Sequence, residues 1–209
     1  MVLNSKKTKL MMINFSKNKQ FTSRIKLNNQ QVEVVDEAKI LGTIVTKTLN
    51  WGKNTTNIIR RANARMQLLT KISSFGTSRE ELINVYNLFV RSLLEQCSVV
   101  WGSSLTKEQR INIERVKKTA VKIINKNKNM NYKKSLSLLS MKSLEERRAD
   151  LSLNFAKKCL KNEKTANYFP LKKVNHGKNL RIKEKYHITP AIKERYKKIS
   201  YTNNAATTK

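Results

Sequence analysis

The spacing of apolar side chains changes period near residue 54, and that change restricts the chain to a mixed architecture. VEVVDEAKILGTIVT, residues 32–46, is β-branched and alternates with polar residues as a half-buried strand pair does. LMMINF, residues 10–15, reads the same way, and Asn28 and Asn29 in the polar stretch between them suit a turn. These segments predict two to four short antiparallel strands up to about residue 48. Gly42, inside the second run, marks a bulge, a close backbone approach or the turn between strands. From Asn54 the period is helical. Ile58, Ile59, Ala62, Met66, Leu69 and Ile72 form one stripe, Arg60, Arg61 and Arg65 lie mostly off it, and Gly76 in SSFG is a stop signal.

Further helices follow. TSREELINVYNLFVRSLLEQCSVVW, residues 77–101, opens with two overlapping capping boxes, Thr77 to Glu80 or Ser78 to Glu81. It predicts one continuous helix of some 25 residues. Leu82, Val85, Tyr86, Phe89, Val90, Leu93 and Cys97 would cover more than half its circumference, as in the centre of a bundle. TKEQRINIERVKKTAVKIINK, residues 106–126, is divided by sign. Ile113, Val116, Ala120, Ile123 and Ile124 share one arc, and Arg115, Lys118, Lys122 and Lys126 share the opposite one. A short helix is expected near Leu136–Leu139. In MKSLEERRADLSLNF, Ser143 and Glu146 form a third capping box, with Leu144, Leu151 and Phe155 on one face and Arg147 and Arg148 turned toward solvent or an anion. Beyond Pro170 the chain is basic, with Tyr186 and Tyr196 interleaved and too few apolar residues for a core, which predicts a flexible tail.

Charge narrows the partners. The 44 Lys and Arg against 14 Asp and Glu leave a formal net charge of +30, so a polyanion is the natural partner. No apolar run approaches a membrane span, and the beginning lacks the apolar core and cleavage site of a secretory signal, although its basic, acid-free character also fits a mitochondrial presequence. Cys97 and Cys159 lie in apolar helical contexts, which predicts buried, reduced thiols in an intracellular protein of the nucleus or cytoplasm. Neither cysteine has a second ligand at metal spacing, and the histidines are His176 and His187 alone.

Catalytic groupings are sparse. Two-metal chemistry on nucleic acid needs converging carboxylates, and the two aspartates, Asp36 and Asp150, stand more than a hundred residues apart. The five glycines are scattered, so no phosphate-cradling loop is present. Read from its residues, the chain is a binder that needs no cofactor.

The order of segments resembles the end of a LINE-type (non-LTR) retrotransposon reverse transcriptase. LNSKKTKLMMINF, VEVVDEAKILGTIVTKTLNW, VYNLFVRSLLEQCSVVW, IERVKKTAVKII and YKKSLSLLSMKSLEERRADLSLNFAKK followed by YFP stand in that family's order, from about Leu3 to Pro170. The resemblance implies that Lys39, Leu41 and Gly42 match the primer-grip strand and Trp51 the aromatic after it. Tyr86, Phe89, Arg91, Ser92, Leu94, Glu95 and Trp101 match the long thumb helix, and Leu144, Arg147 and Arg148 match a late leucine and paired-arginine motif, whose arginines the resemblance implies would either bind the template-primer backbone or fix a neighbouring helix. Gln96 and Lys117 depart from the family, which often has tyrosine and glutamine there. The fingers and the palm strand with paired aspartates would precede residue 1.

The expectation is therefore an α+β protein in three parts. Residues 1–52 form a small antiparallel palm-end and primer-grip segment, 53–170 a thumb-like helical bundle, and 171–209 a basic tail. The expected function is that of a truncated reverse transcriptase fragment that binds RNA, DNA or their hybrid through phosphate contacts. Arg115, Lys118, Lys122, Lys126, Arg147 and Arg148 are the binding candidates. One alternative is the thumb part of an active RNA-directed DNA polymerase whose palm and fingers lie elsewhere, with Mg2+ expected only for that complete enzyme. The other is a degenerate relic of a mobile element. Trp51 and Trp101 are read as core anchors.

Overall fold

A computed structural model describes residues 4, 7–15, 25–27, 29–127 and 129–166; the expected tail from 171 onward, Asn28 and the YFP segment lie outside the described residues. The architecture is mixed α+β, and it divides into two units, the first ending at Asn57 and the second beginning at Ile58. That division falls inside a single helix.

Among the described residues the first unit carries six short strands in three pairs: β1 (Lys9–Leu10), β2 (Lys26–Leu27), β3 (Gln30–Gln31), β4 (Glu33–Val34), β5 (Glu37–Ile40) and β6 (Thr43–Thr46). β2 with β3 and β5 with β6 are antiparallel, as expected, but β1 pairs with β4 in parallel. The reason is topological. The β2–β3 hairpin lies between the two strands in sequence, so the chain returns to β1 by a crossover, which is what a parallel pair requires. Lys9 and Glu33, opposite each other in this pair, form an exposed ion pair at 3.4 Å.

β5 and β6 are joined by two residues, since Ile40 faces Thr43. Leu41 has φ 48° and Gly42 φ 84°, and two positive values at the centre of a two-residue loop give the type I′ turn that suits the twist of a hairpin. Of the three roles read for Gly42, the turn is the one it fills. The side chain of Asn54 is fully buried, and its Oδ1 accepts the Ile44 N–H at 3.0 Å, which ties β6 to the first turn of α1 (Gly52–Ser74). Among the described residues of the strand region and the loop after it, Val32, Thr43 and Trp51 are also buried.

The second unit is helical. From residue 58, α1 buries Ile58, Ala62, Met66 and Leu69, which is the core of the stripe read from sequence; Ile59 and Ile72 are half-buried. Gly76, at φ 81°, ends the turn after the helix, and the Thr77 hydroxyl donates to Ile72 O at 2.7 Å. Ser78 then caps α2 (Arg79–Val85) with Glu81 in a reciprocal capping box, so the second of the two possible pairs is used.

The expected 25-residue helix is broken. α2 passes into a π-helical segment, Tyr86–Arg91, then α3 (Ser92–Glu95), a sharp break, α4 (Ser98–Trp101) and a 3-10 turn, Gly102–Ser104. Gln96 leaves helical geometry at ψ 120° and Cys97 adopts a left-handed conformation at φ 52°. The carbonyl of Gln96, released from the ladder, accepts the indole N–H of buried Trp101 at 2.9 Å, so a side chain replaces the missing backbone donor. Cys97 is consequently exposed, not buried, and Cys159 is half-buried. Before the break, Leu82, Tyr86, Val90 and Leu94 are buried at a constant spacing of four. Such a row drifts around an ordinary α-helix, and the wider i→i+5 turns of the π segment reduce that drift.

α5 (Lys107–Asn125) packs against α2, α6 (Tyr132–Leu138) and α7 (Leu144–Lys161), and α7 also packs against α4. α8 (Glu163–Ala166) follows. α5 is capped by Thr106 and Gln109 and α7 by Ser143 and Glu146, both as full capping boxes. Ile113, Val116, Ala120, Val121 and Ile124 line the buried face of α5 and meet Leu139 and Leu144 in the same core. Truncating a fully buried leucine such as Leu144 to alanine costs about 2–5 kcal/mol. Phe155, expected beside Leu144, is 52% exposed on a part of α7 that runs beyond this core.

Candidate nucleic-acid interface

The cationic arc of α5 faces solvent. Arg115, Lys118, Lys122 and Lys126 are all exposed, and none forms an ion pair with a carboxylate among the described residues. From Arg115 to Lys126 no acidic residue interrupts the arc. The row is about 16 Å long at the rise of an α-helix. Its ends differ. Arg115 donates to Asn112 Oδ1 at 3.1 Å, and the Lys118 ammonium lies 5.3 Å from the centre of the Tyr132 ring, a cation–π distance. Lys126 is the left-handed C-cap of the helix, where a cation also complements the helix dipole.

Lys122 and Lys126 border an open groove of about 600 Å³ whose other wall is the end of α1, with the hydroxyls of Thr70, Ser73 and Ser74. Thr119 contributes from α5. The hydroxyls of Thr70, Ser74 and Thr119 already donate to the carbonyls of Met66, Lys71 and Arg115, so the donors this groove offers a phosphate oxygen are chiefly the ammonium groups of Lys122 and Lys126.

Arg147 and Arg148 are placed differently. Arg147 donates from Nε to Glu95 Oε1 and from Nη2 to Glu95 Oε2, the second bond being 2.9 Å, in the two-pronged geometry a guanidinium makes with a carboxylate. That pair holds its charge firmly: the Glu95 hydrogen bond raises the Arg147 pKa further above its ordinary value. Arg148 is buried at 6% exposure, and its stem lies over Gly102. Of the roles read from sequence, fixing a neighbouring helix is the one the geometry gives Arg147.

A polar centre that joins α5 to α7 is absent from the reading of the sequence. Lys117 is fully buried and donates from Nζ to the backbone carbonyl of Lys142. Burial pulls its pKa down to about 8, against the opposing pull of Glu114. Glu114 accepts the Leu144 N–H at 3.2 Å, capping α7 from another helix, and accepts the Tyr132 hydroxyl as well. Burial and that hydrogen bond raise the Tyr132 pKa, and burial raises the pKa of Tyr86, whose hydroxyl has no partner. A signal for Lys117 existed. It stands four residues after Ile113 and four before Val121, which puts it on the apolar face.

Lys39, Leu41 and Gly42 belong to the first unit. Lys39 is exposed on β5 and Leu41 is 85% exposed at the hairpin tip. Among the described residues no cluster of three His, Cys, Asp or Glu side chains is placed to hold a metal ion, and no helix is long and apolar enough to cross a membrane. No protein-family model matches the chain, and neither does any curated protein or solved structure.

Proposed function

We propose that this protein binds RNA, DNA or an RNA–DNA hybrid without regard to sequence, through phosphate contacts along the outer face of α5. The observation that carries the reading is the row of exposed cations from Arg115 to Lys126, uninterrupted by acids, on a chain of net charge +30. A face that served solubility alone would mix signs, and each phosphate bound by such a row releases counterions, which favours binding at low salt. In the same reading the chain corresponds to the thumb side of a LINE-type reverse transcriptase, and Arg147 and Arg148 serve the bundle before they serve the nucleic acid.

A second reading, a working thumb for a polymerase whose catalytic palm lies elsewhere, draws on the β5–β6 hairpin. Its tip presents Leu41 outward beside Lys39, and an exposed leucine at a tight turn suits contact with another surface.

The test is the triple substitution Lys118→Glu, Lys122→Glu and Lys126→Glu, with helicity checked by circular dichroism. Fluorescence anisotropy at several salt concentrations should show weaker binding to single strands and hybrids of every sequence by similar factors. The slope of log affinity against log salt should flatten by roughly 0.7 to 0.9 for each phosphate that is no longer neutralised. An unchanged slope in the folded variant refutes the assignment to α5, and a weakening confined to one sequence refutes phosphate reading.

A further inference from the structure

Arg148 keeps part of its guanidinium buried without a partner. The residue is 6% exposed, and its Nη1 is buried without any hydrogen bond. Leaving a donor of a charged group buried and unsatisfied is costly, so a chain that retains one commonly uses it. The local backbone accommodates it: the nearest heavy atom to a Cβ built on Gly102 would be Arg148 Cδ, at 3.1 Å. A side chain at 102 would crowd the arginine stem.

Arg148 lines a cavity of about 260 Å³ between α5, α6 and the start of α7, together with Arg110, Glu114, Lys118, Tyr132 and Glu145. Three cations meet two carboxylates. Of those carboxylates, Glu114 is already committed to the Leu144 N–H and the Tyr132 hydroxyl. Glu145 is half-exposed and stands 3.9 Å from Arg110, the separation of a loose contact that water screens. The volume falls below the roughly 300 Å³ at which sites for drug-sized ligands begin, so the cavity suits one small anionic group and not a whole nucleotide.

We propose that this cavity is a binding site for a single phosphate group, with Arg148 at its floor and Arg110 and Lys118 at its sides. Lys118 belongs both to this cavity and to the exposed row on α5. A strand lying along the row could therefore end here, with its terminal phosphate against Arg148. That use rests on the function proposed above, whereas binding of free inorganic phosphate does not.

Calorimetric titration of the full chain with inorganic phosphate, against chloride at matched ionic strength, tests the site. Saturable binding of one phosphate is expected. Removal of a charge-assisted hydrogen bond should weaken it about tenfold or more in Arg148→Met. If that variant fails to fold, Arg110→Gln, at a more exposed position, decides the matter by a severalfold drop in affinity. Absence of saturable binding overturns the site, as does equal affinity in whichever variant decides. The source is separated by comparing 5′-phosphorylated with 5′-hydroxyl single strands. A preference for the phosphorylated strand that millimolar inorganic phosphate erases identifies a strand end. Equal affinity for both strands, with inorganic phosphate still bound in an Arg148-dependent way, identifies free phosphate. Inorganic phosphate bound and neither strand bound leaves the cavity in place and refutes the nucleic-acid reading.

Discussion

Arg147 on α7 grips Glu95 at the end of α3 through two guanidinium nitrogens, across 52 residues of sequence. Arg91, one turn before Glu95, approaches the same carboxylate at 3.8 Å. Glu95 is only 12% exposed and Arg147 29%, so solvent screens this pair little. Removing Arg147 leaves the largely buried Glu95 with only the longer Arg91 contact, and neutralising Glu95 leaves Arg147 without its counter-charge. Arg147→Met is expected to destabilise the fold by about 2–4 kcal/mol. Glu95→Gln should cost less because Arg147 keeps one acceptor, and urea denaturation of both single variants and the double variant should give a coupling energy of about 1–3 kcal/mol. Additive effects would mean that the pair does not act as a unit.

Stability should depend on pH through Lys117. Its pKa in the folded protein is about 8, against an ordinary 10.5, so between those values the unfolded chain binds the extra proton and stability rises with pH. The steepest slope one group can give is about 1.4 kcal/mol per pH unit. Above about pH 10 the raised pKa values of Tyr86 and Tyr132 act in the opposite sense, because the unfolded chain loses those protons first. A rise from about pH 8 toward 10, then a fall, is expected in urea midpoints. Lys117→Met should abolish the rise while leaving the fall. A rise that persists in that variant would place its origin in other lysines.

Cys97 should react quickly with a thiol reagent in native buffer, because it is exposed at the break between α3 and α4. Cys159, half-buried on α7, should react more slowly, and both should react at similar rates in denaturant. Protection of Cys97 until unfolding would restore the continuous helix. Cys97→Gly offers a second measure: relief of a left-handed non-glycine residue should stabilise the protein by about 1 kcal/mol.

Local rules account for what is legible in the sequence. The boxes at Ser78 and Ser143, the stripe of α1 and the two arcs of α5 each depend on residues within a few positions of one another, and each is found where those residues place it. The break at Cys97 leaves no such trace. It uses neither glycine nor proline, and it is fixed by an indole five residues from the carbonyl that accepts its proton. Likewise the parallel pairing of β1 with β4 depends on where a crossover returns, not on the composition of either strand. For the site, periodicity is enough to place the exposed row on α5, whereas Lys117 escapes notice because its residue type outweighs its position. Arg147 is legible as an arginine on α7, but its acceptor lies on an element that no local pattern connects to it.

Gly102 and Arg148 are coupled by close packing. A methyl group at 102 would lie 3.1 Å from the arginine Cδ, so the stem at 148 would have to give by a few tenths of an ångström. Across a family of related chains the two positions should therefore drift together. A glycine at 102 leaves room for the arginine stem as it lies, and its replacement should coincide with a shifted or altered side chain at 148. Forty-six positions apart in the chain, they share one contact through which a change at either is felt at the other.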